Sequence, residues 1–523
     1  MRRIVLNERR QRAEQDPLAR LEIQALTALF PAGHPYHGAI IGSADDLAAT
    51  TIADVDAFLG RHVQPGNATL VLVGDLPAET SGWIERHFGG LPAQPRPPAR
   101  TVPQVTRMTE LRVMAERPVG AAPAVLMAWP SPALDADGDA AADVLAEALE
   151  RGGYVRLARA EGPPEAAEFQ ATQRSLPNQS VFFVRVIGRV GGDPMRLVAE
   201  VDRVLARVGE GALAEPAVRR ARLRLAREHR SALQDLQDRA AVLAAEAAAG
   251  KPLGGEEDVQ EWTAVTPAEV AASRVRCCGR RGAWSCWRRA RHEGASVFRR
   301  GAPRAWLLAW LLGACASNQS WRHSAPDLPV AAPPVVAPRV ERLGPSLLHV
   351  RRAGPTTAIG LVLRTGAEID PPLASFALEL LARGRDRAVE DALGELGGAI
   401  EVVWLGDGAL LRVEVEASAW REALAIVTAA QRSAELTAED VEALRRERQA
   451  ALQRRDGDPA MRGLHLLQRR LARGSTRSGR RAAAGWSIEH VRKAQEQWLR
   501  ARPALVVVGE VPGPSSRGRP RER

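Results

Sequence analysis

Six short runs of β-branched, aliphatic and aromatic residues, each ended by Gly, Pro or charge, predict strands. They are TLVLVGD (69–75), AVLMAWP (124–130), SVFFVRVIG (180–188), AIGLVLRTG (358–366), ALLRVEVEA (409–417) and ALVVVGE (504–510). Between them, helix starts carry their own punctuation. Thr51-Ile-Ala-Asp54, Thr266-Pro-Ala-Glu269 and Thr437-Ala-Glu-Asp440 are capping boxes: the Thr oxygen takes an orphan backbone N–H and the acid favours the positive helix end. Pro216 predicts another helix start, with Val218, Leu225, Leu233, Leu236 and Leu243 near helical spacing. Helices and hairpin-like strand pairs alternate irregularly, which predicts an α+β fold and not a doubly wound one.

One unit occurs twice. DVDAFLGRHVQPGNATLVLVGDLP (54–77) and HVRKAQEQWLRARPALVVVGEVP (490–512) each read as helix, polar turn, strand, then Val-Gly-acid-apolar-Pro. Upstream, QRAEQDPLARL (11–21) pairs loosely with QRRDGDPAMRGL (453–464).

Residues 276–325 break this pattern, mixing Arg, Trp and Cys without periodicity, and PDLPVAAPPVVAP (326–338) reads as an extended linker. Within this region, Arg299, Arg300 and Arg304 precede the short apolar run WLLAWLLGACASNQS (306–320). Basic residues, a short apolar run, small residues and then Cys315 are the order of a bacterial lipoprotein signal, with Leu312-Gly-Ala-Cys315 as its lipidation box. The run is too short to span a bilayer, and no transmembrane helix is expected elsewhere. The four cysteines, Cys277, Cys278, Cys286 and Cys315, have neither zinc-finger spacing nor matching histidines.

The net charge of +10 raises nucleic-acid binding, but its distribution argues against it. Residues 274–304 carry ten arginines against Glu293 alone, and 513–523 carry four against Glu522, so the rest of the chain is close to neutral. No nucleic-acid partner is expected.

Candidate chemistry begins at Glu8 in RIVLNERRQ (3–11), which unaided is a solvated helix-surface acid. Its company changes that reading. HPYHGAIIGSADDLAATTIADVDAFLGRHVQPGNATLVLVGDL (34–76), continuing to HFGGLP (87–92), resembles the insulinase (pitrilysin-like) zinc metallopeptidases over its whole length. AVLMAWPSPALDADGDAAADVLAEALERGGYVRLARAEG (124–162), with Gly152, Gly153, Arg156 and Leu157, looks like the second domain of such a subunit. LRTGAEIDPP through GGAIEVVWLGDGALLRVEVEA (363–417), with the helix through QRRDGDP, looks like the first domain of another.

The resemblance implies a fold of tandem sandwiches, each with helices packed on a mainly antiparallel sheet. It implies units at 1–93, 109–275 and 345–512, with the irregular, signal-like and Pro-rich segment at 276–344 and a basic tail at 513–523. It also implies zinc-dependent hydrolysis of peptides or unfolded polypeptides. An H-x-x-E-H helix would give two ligands and a base, and a Glu in a VVLNE-like stretch would give the third ligand. Glu8 matches that last position.

No other residue of the chain matches the ligand set. No histidine pair has i, i+4 spacing with an acid between, and His34 and His37 lie in a loop block whose implied role is structural. In the second copy the ligand helix would fall between Asp370 and Gly384, where PPLASFALELLARG has Glu379 and no histidine; Ala450 or Ala451 stands near the place of Glu8. GSTRSGRRAAAGWS (474–487) replaces the family's Gly-x-His-Pro-Tyr block.

The expectation is therefore a catalytic-type subunit lacking its opening, joined near Val297 to a truncated non-catalytic, lipoprotein-type subunit. A frameshift or gene fusion would account for the junction. Such a chain binds no zinc alone, hydrolyses nothing alone, and pairs with a second metallopeptidase-like subunit. The alternative is a scaffold in the bacterial periplasm or on the outer membrane, anchored through Cys315. If the internal signal is unused, the chain is cytoplasmic.

Overall fold

The structure is a computed structural model. It describes residues 2–10, 17–92, 95, 97, 102, 105, 111–117, 122–160, 162, 164–189, 191–254, 256–278, 284–290, 340–344, 347–351, 354–364, 371–404, 408–433, 436–457, 486–500 and 504–509. Met1–Ala290 and Arg339–Arg523 form one compact unit; Arg291–Pro338 form a second, which lies outside the described residues together with Cys315.

Helices come first: α1 (Arg2–Arg9), α2 (Pro17–Leu29), α3 (Ala44–Ala49), α4 (Ile52–His62) and α5 (Thr80–Phe88). The expected capping box at Thr51–Asp54 starts α4, with the Asp54 amide donating to Thr51 Oγ1 at 3.2 Å. Sequence reasoning missed its twin, Ser43–Asp46, which starts α3.

The first sandwich follows: β1 (Leu111–Arg117), β2 (Ala124–Ser131), α6 (Asp139–Ala148), α7 (Tyr154–Arg159), β3 (Ala166–Arg174), β4 (Ser180–Gly188), α8 (Pro194–Gly209), α9 (Glu215–Ala232), α10 (Leu236–Ala249), α11 (Glu256–Ala264), α12 (Pro267–Cys278) and β5 (Trp284–Ala290). The sheet order is β1-β5-β2-β4-β3, antiparallel except where β1 runs parallel to β5. The stretch expected to be irregular thus supplies a strand, paired through Val125↔Trp287 and Leu126↔Cys286. Its Arg/Trp/Cys mixture has no alternation, so the partners and not a local pattern place it.

Period-2 alternation builds two cores from this sheet. Val125, Met127 and Trp129 of β2 and Phe182, Val184 and Val186 of β4 pack with Val144 and Leu145 of α6 and Val201, Val204 and Leu205 of α8. Leu126, Ala128, Val181 and Phe183 face the other way, onto Leu21, Ala25 and Leu29 of α2 and onto Phe30. At roughly 1.5–3 kcal/mol for each large aliphatic or aromatic side chain fully buried, this double burial is the main stabilising term. The helix expected from Pro216 breaks: α9 ends at Ala232, and Asp235 caps α10 by accepting from the Gln237 and Asp238 amides at 2.8 and 3.1 Å.

The second sandwich contains β6 (Val340–Gly344), β7 (Leu347–Arg351), β8 (Thr356–Arg364), α13 (Pro371–Arg383), α14 (Ala388–Glu395), β9 (Ala399–Trp404), β10 (Gly408–Glu416), α15 (Trp420–Ser433), α16 (Ala438–Gly457), α17 (Ile488–Arg500) and β11 (Ala504–Gly509). Its order is β6-β7-β11-β8-β10-β9, antiparallel apart from β11 against β7. Ile359 and Leu361 of β8 and Leu411, Val413 and Val415 of β10 pack on Phe376, Leu380 and Leu381 of α13 and on Val491, Ala494 and Trp498 of α17. The mixed α+β architecture with mainly antiparallel sheets agrees with the expected fold class.

The repeated unit does not fold alike in its two copies. Residues 490–500 lie in α17 and 504–509 form β11, with Val507 buried. Residues 54–75 form α4 followed by irregular chain, and the predicted strand at 69–75 is not one. Leu70 and Leu72 are 51% and 44% exposed, because no described strand lies alongside to take their backbone bonds.

Candidate functional site

Glu8, the expected third zinc ligand, sits half-buried near the end of α1. This helix is tied to the following loop: an Arg2 nitrogen donates to the Thr50 carbonyl at 2.6 Å and Arg9 Nε to the Gly42 carbonyl at 3.0 Å. His34 and His37 lie in the loop after α2 and make local contacts there. The His34 ring is buried and stacks on Phe30 at 4.4 Å, and its Nδ1 accepts from the Tyr36 amide at 3.1 Å. His37 Nδ1 lies 2.7 Å from the Phe30 carbonyl. The Tyr36 hydroxyl accepts from Asn178, so this aromatic knot clips α2 to the first sandwich.

Among the described residues, the group of three ligand-type side chains close enough to share an ion is Asp135, Asp258 and Glu261; Glu8 belongs to no such group. The acid group does not fit zinc. It offers carboxylates alone, whereas protein zinc sites are dominated by His and Cys donors. A cation is also already seated on it: Lys251 Nζ lies 2.5 Å from Asp135 and 2.6 Å from Asp258. Burial alone would lower the Lys251 ammonium, but the bonds to Asp135 and Asp258 hold its pKa above the ordinary lysine value. No hydrolytic step through zinc is derived from these residues.

Beside this cluster, two carboxyls are pushed the unusual way. Asp139 is buried and its pKa is raised by burial, against bonds from Gln173 Nε2 (2.9 Å), Ser175 Oγ (2.8 Å) and the Asp135 amide (3.2 Å). Asp143 is pushed up to about 7, chiefly by burial, with the Trp262 indole N–H as its opposing bond at 3.0 Å.

In the second sandwich, the place of the implied ligand helix is α13. There Glu379 accepts from Arg448 Nη2 at 2.7 Å and from Arg383 Nη2 at 2.6 Å. Arg448 also donates to Ser375 Oγ at 3.0 Å and lies over the Phe376 ring at 5.3 Å, while Arg383 reaches Glu447 at 2.6 Å. The helix pair α13 and α16 is thus joined by guanidinium groups. The sequence displayed the missing histidines, but nothing in it marked Arg448 as the partner of Glu379. Ala450 and Ala451 lie on α16, but their side chains are outside the described ones.

The Gly152-Gly153 pair follows α6 and precedes α7, which carries Arg156 and Leu157. The two lie in a single wide helical turn, Leu149–Gly153, with Gly152 at φ +104°. A Cβ on Gly153 would lie 2.3 Å from the Ala148 carbonyl oxygen. The turn places Leu157 in the core and Arg156 outward, where it pairs with Asp391 of α14.

Residues 49–225 match the family model described as the Peptidase M16 inactive domain. The chain is also 32% identical over 91 residues to "Zinc protease PqqE" of Helicobacter pylori (strain ATCC 700392 / 26695). That match covers 17% of this chain and 20% of the relative, so it spans about a fifth of the relative's length. Among solved structures, a protease from Helicobacter pylori is similar at 19% identity and TM-score 0.48, covering 55% of this chain and 71% of that one. The periplasmic protease PqqL from Escherichia coli is similar at 17% and 0.46, covering 98% and 61%. The family model and the curated relative support the resemblance to the insulinase (pitrilysin-like) family. Among the described residues, no helix is long and apolar enough to cross a membrane.

Proposed function

We propose that this chain is a non-catalytic, M16-type partner subunit that lends a wall to a complete peptidase acting on peptides or unfolded polypeptides. The observation that carries the reading is the Arg448–Glu379–Arg383 network. Where a metal-binding helix pair would present ligands to a cation, α13 and α16 present a carboxylate already neutralised by two guanidinium groups. The inactive-type match over 49–225 supports the same reading for the first half. Among the described residues, Glu8 belongs to no group of ligand-type side chains close enough to share an ion. The test is metal analysis and fluorogenic-peptide hydrolysis by the purified full chain, with and without a chelator. The expected result is less than a tenth of an equivalent of zinc and no chelator-sensitive cleavage. One equivalent of zinc with hydrolysis that disappears in E8Q would refute it.

The second reading rests on the motif at 299–315: Cys315 is a lipid-anchor site, and the 297–523 portion a separately started lipoprotein joined to its neighbour by fusion or frameshift. Location at a periplasmic membrane surface follows from it. Peptide mapping of the protein from its native cells decides. Lipidated Cys315 without peptides spanning 270–300 supports two products, whereas spanning peptides without lipid support one continuous chain.

A further inference from the structure

We infer that the acidic edge formed by α14 and β10 is a docking surface for the arginine row of α9, and that this contact joins the two sandwiches without needing the covalent connection between them. The partner class is defined by chemistry: a sandwich presenting Asp391, Glu395, Glu414 and Glu416 to an Arg-rich helix. The inference does not depend on whether any subunit is catalytic.

Charge polarity across the contact is uniform. Arg156 pairs with Asp391, Arg220 with Glu395, Arg219 with Glu395 at 3.6 Å, Arg227 with Glu414 at 3.7 Å, and Arg230 with Glu416 at 3.1 Å. In each of these pairs the arginine comes from the first sandwich and the acid from the second. Uncharged donors continue the line: Ser231 Oγ donates to the Glu414 carboxylate at 2.8 Å and Gln234 Nε2 to Thr356 Oγ1 at 2.8 Å. The row follows helical geometry, since Arg220, Arg227, Ser231 and Gln234 lie at spacings of seven, four and three residues along α9 and just past its end.

Glycines set the approach. A Cβ on Gly394 would meet the Arg220 side chain at 2.8 Å, and one on Gly397 would meet Leu223 Cβ at 3.1 Å. At these two glycines the backbone of the second sandwich therefore comes close against α9. A contact built this way draws on charge more than on apolar burial. It gains specificity by excluding like-charged partners, and screening weakens it.

The test begins with the intact chain. A specific protease site is placed within 291–338, the folded protein is cut, complete cleavage is verified on a denaturing gel, and the products are run on size exclusion in 0.1 M and 1 M NaCl. The fragments are expected to co-elute at 0.1 M and to separate at 1 M. E395R is expected to separate them already at 0.1 M, and R219E/R220E/E395R to restore co-elution, with circular dichroism confirming folding of each. Co-elution persisting at 1 M overturns the inference, because apolar contact then holds the halves. Separation of the wild-type fragments at 0.1 M overturns it equally, because the covalent connection is then required.

Discussion

Replacing Asp143 with Asn isolates the cost of one enclosed carboxyl. Asp143 titrates in the folded chain at about 7, mainly because burial disfavours its charged form, and Asp139 and Asp258 add repulsion. In the unfolded chain it titrates near the ordinary aspartate value of 3.8. Its folded pKa is thus raised, so the folded state binds the extra proton and stability falls as pH rises from about 4 to about 7, then levels off. At about 1.4 kcal/mol per pH unit, the component lost between pH 5 and pH 8 is roughly 3 kcal/mol, and the full component above pH 7 is roughly 4 kcal/mol. Asn keeps an acceptor for the Trp262 indole and carries no charge, so D143N removes this dependence. Urea unfolding of both proteins at pH 5, 6, 7 and 8 checks it. The stability difference, D143N minus wild type, is expected to grow by about 3 kcal/mol between pH 5 and pH 8. Taking the difference cancels titrating groups that do not interact with Asp143, whereas Asp139 and Asp258, which repel it, stay coupled to it and soften the slope. Parallel pH profiles for the two proteins would falsify the assignment.

Three further outcomes are expected. R448A leaves Glu379 with Arg383 alone and removes the bond to Ser375, so stability falls by about 1–3 kcal/mol, read from denaturant midpoints; an unchanged midpoint would mean that the network is dispensable. G153A forces a Cβ to 2.3 Å from the Ala148 carbonyl and shifts the wide turn, costing about 1–3 kcal/mol, whereas an unshifted melting temperature would show that the backbone yields freely. F58S/L59S acts on residues 60% and 46% exposed, so it should raise the soluble fraction on expression while changing stability by less than about 0.5 kcal/mol; no gain in solubility, or a large loss of stability, would show this face to be covered.

Legibility in the sequence followed how local the cause was. The capping boxes at Thr51, Thr266 and Thr437 form as expected, since two side chains and two amides three residues apart suffice. The runs at 124–130, 180–188, 358–366, 409–417 and 504–510 all become strands, to within two residues at either end. Edge strands β3 and β9 escaped notice because a half-exposed strand has little apolar contrast: AAEFQATQR shows only Ala171 fully buried. The break before Asp235 was hidden by leucines that keep helical spacing across it. At the site, absence of histidines was readable, but the Arg448–Glu379 bond joins positions sixty-nine residues apart, and no local pattern encodes such a pair.

The strongest lesson lies in the two copies of one unit. TLVLVGD (69–75) has the same strand propensity as ALVVVGE (504–510), yet only the second pairs. The second lies between β7 and β8, which take its backbone bonds, while α13 covers the apolar stripe of α17. The first has an intact, correctly capped helix before it, with Ile52, Val55, Phe58 and Leu59 facing outward at 46–80% exposure. Helix formation needs only neighbours within a turn, so α4 forms regardless. A strand is stabilised by its cross-strand pairs, and a lone one has none. The failure at 69–75 is therefore not an error of propensity. It measures what an adjoining strand and covering helix contribute, and those are the elements a polypeptide must present to make this face fold like its counterpart.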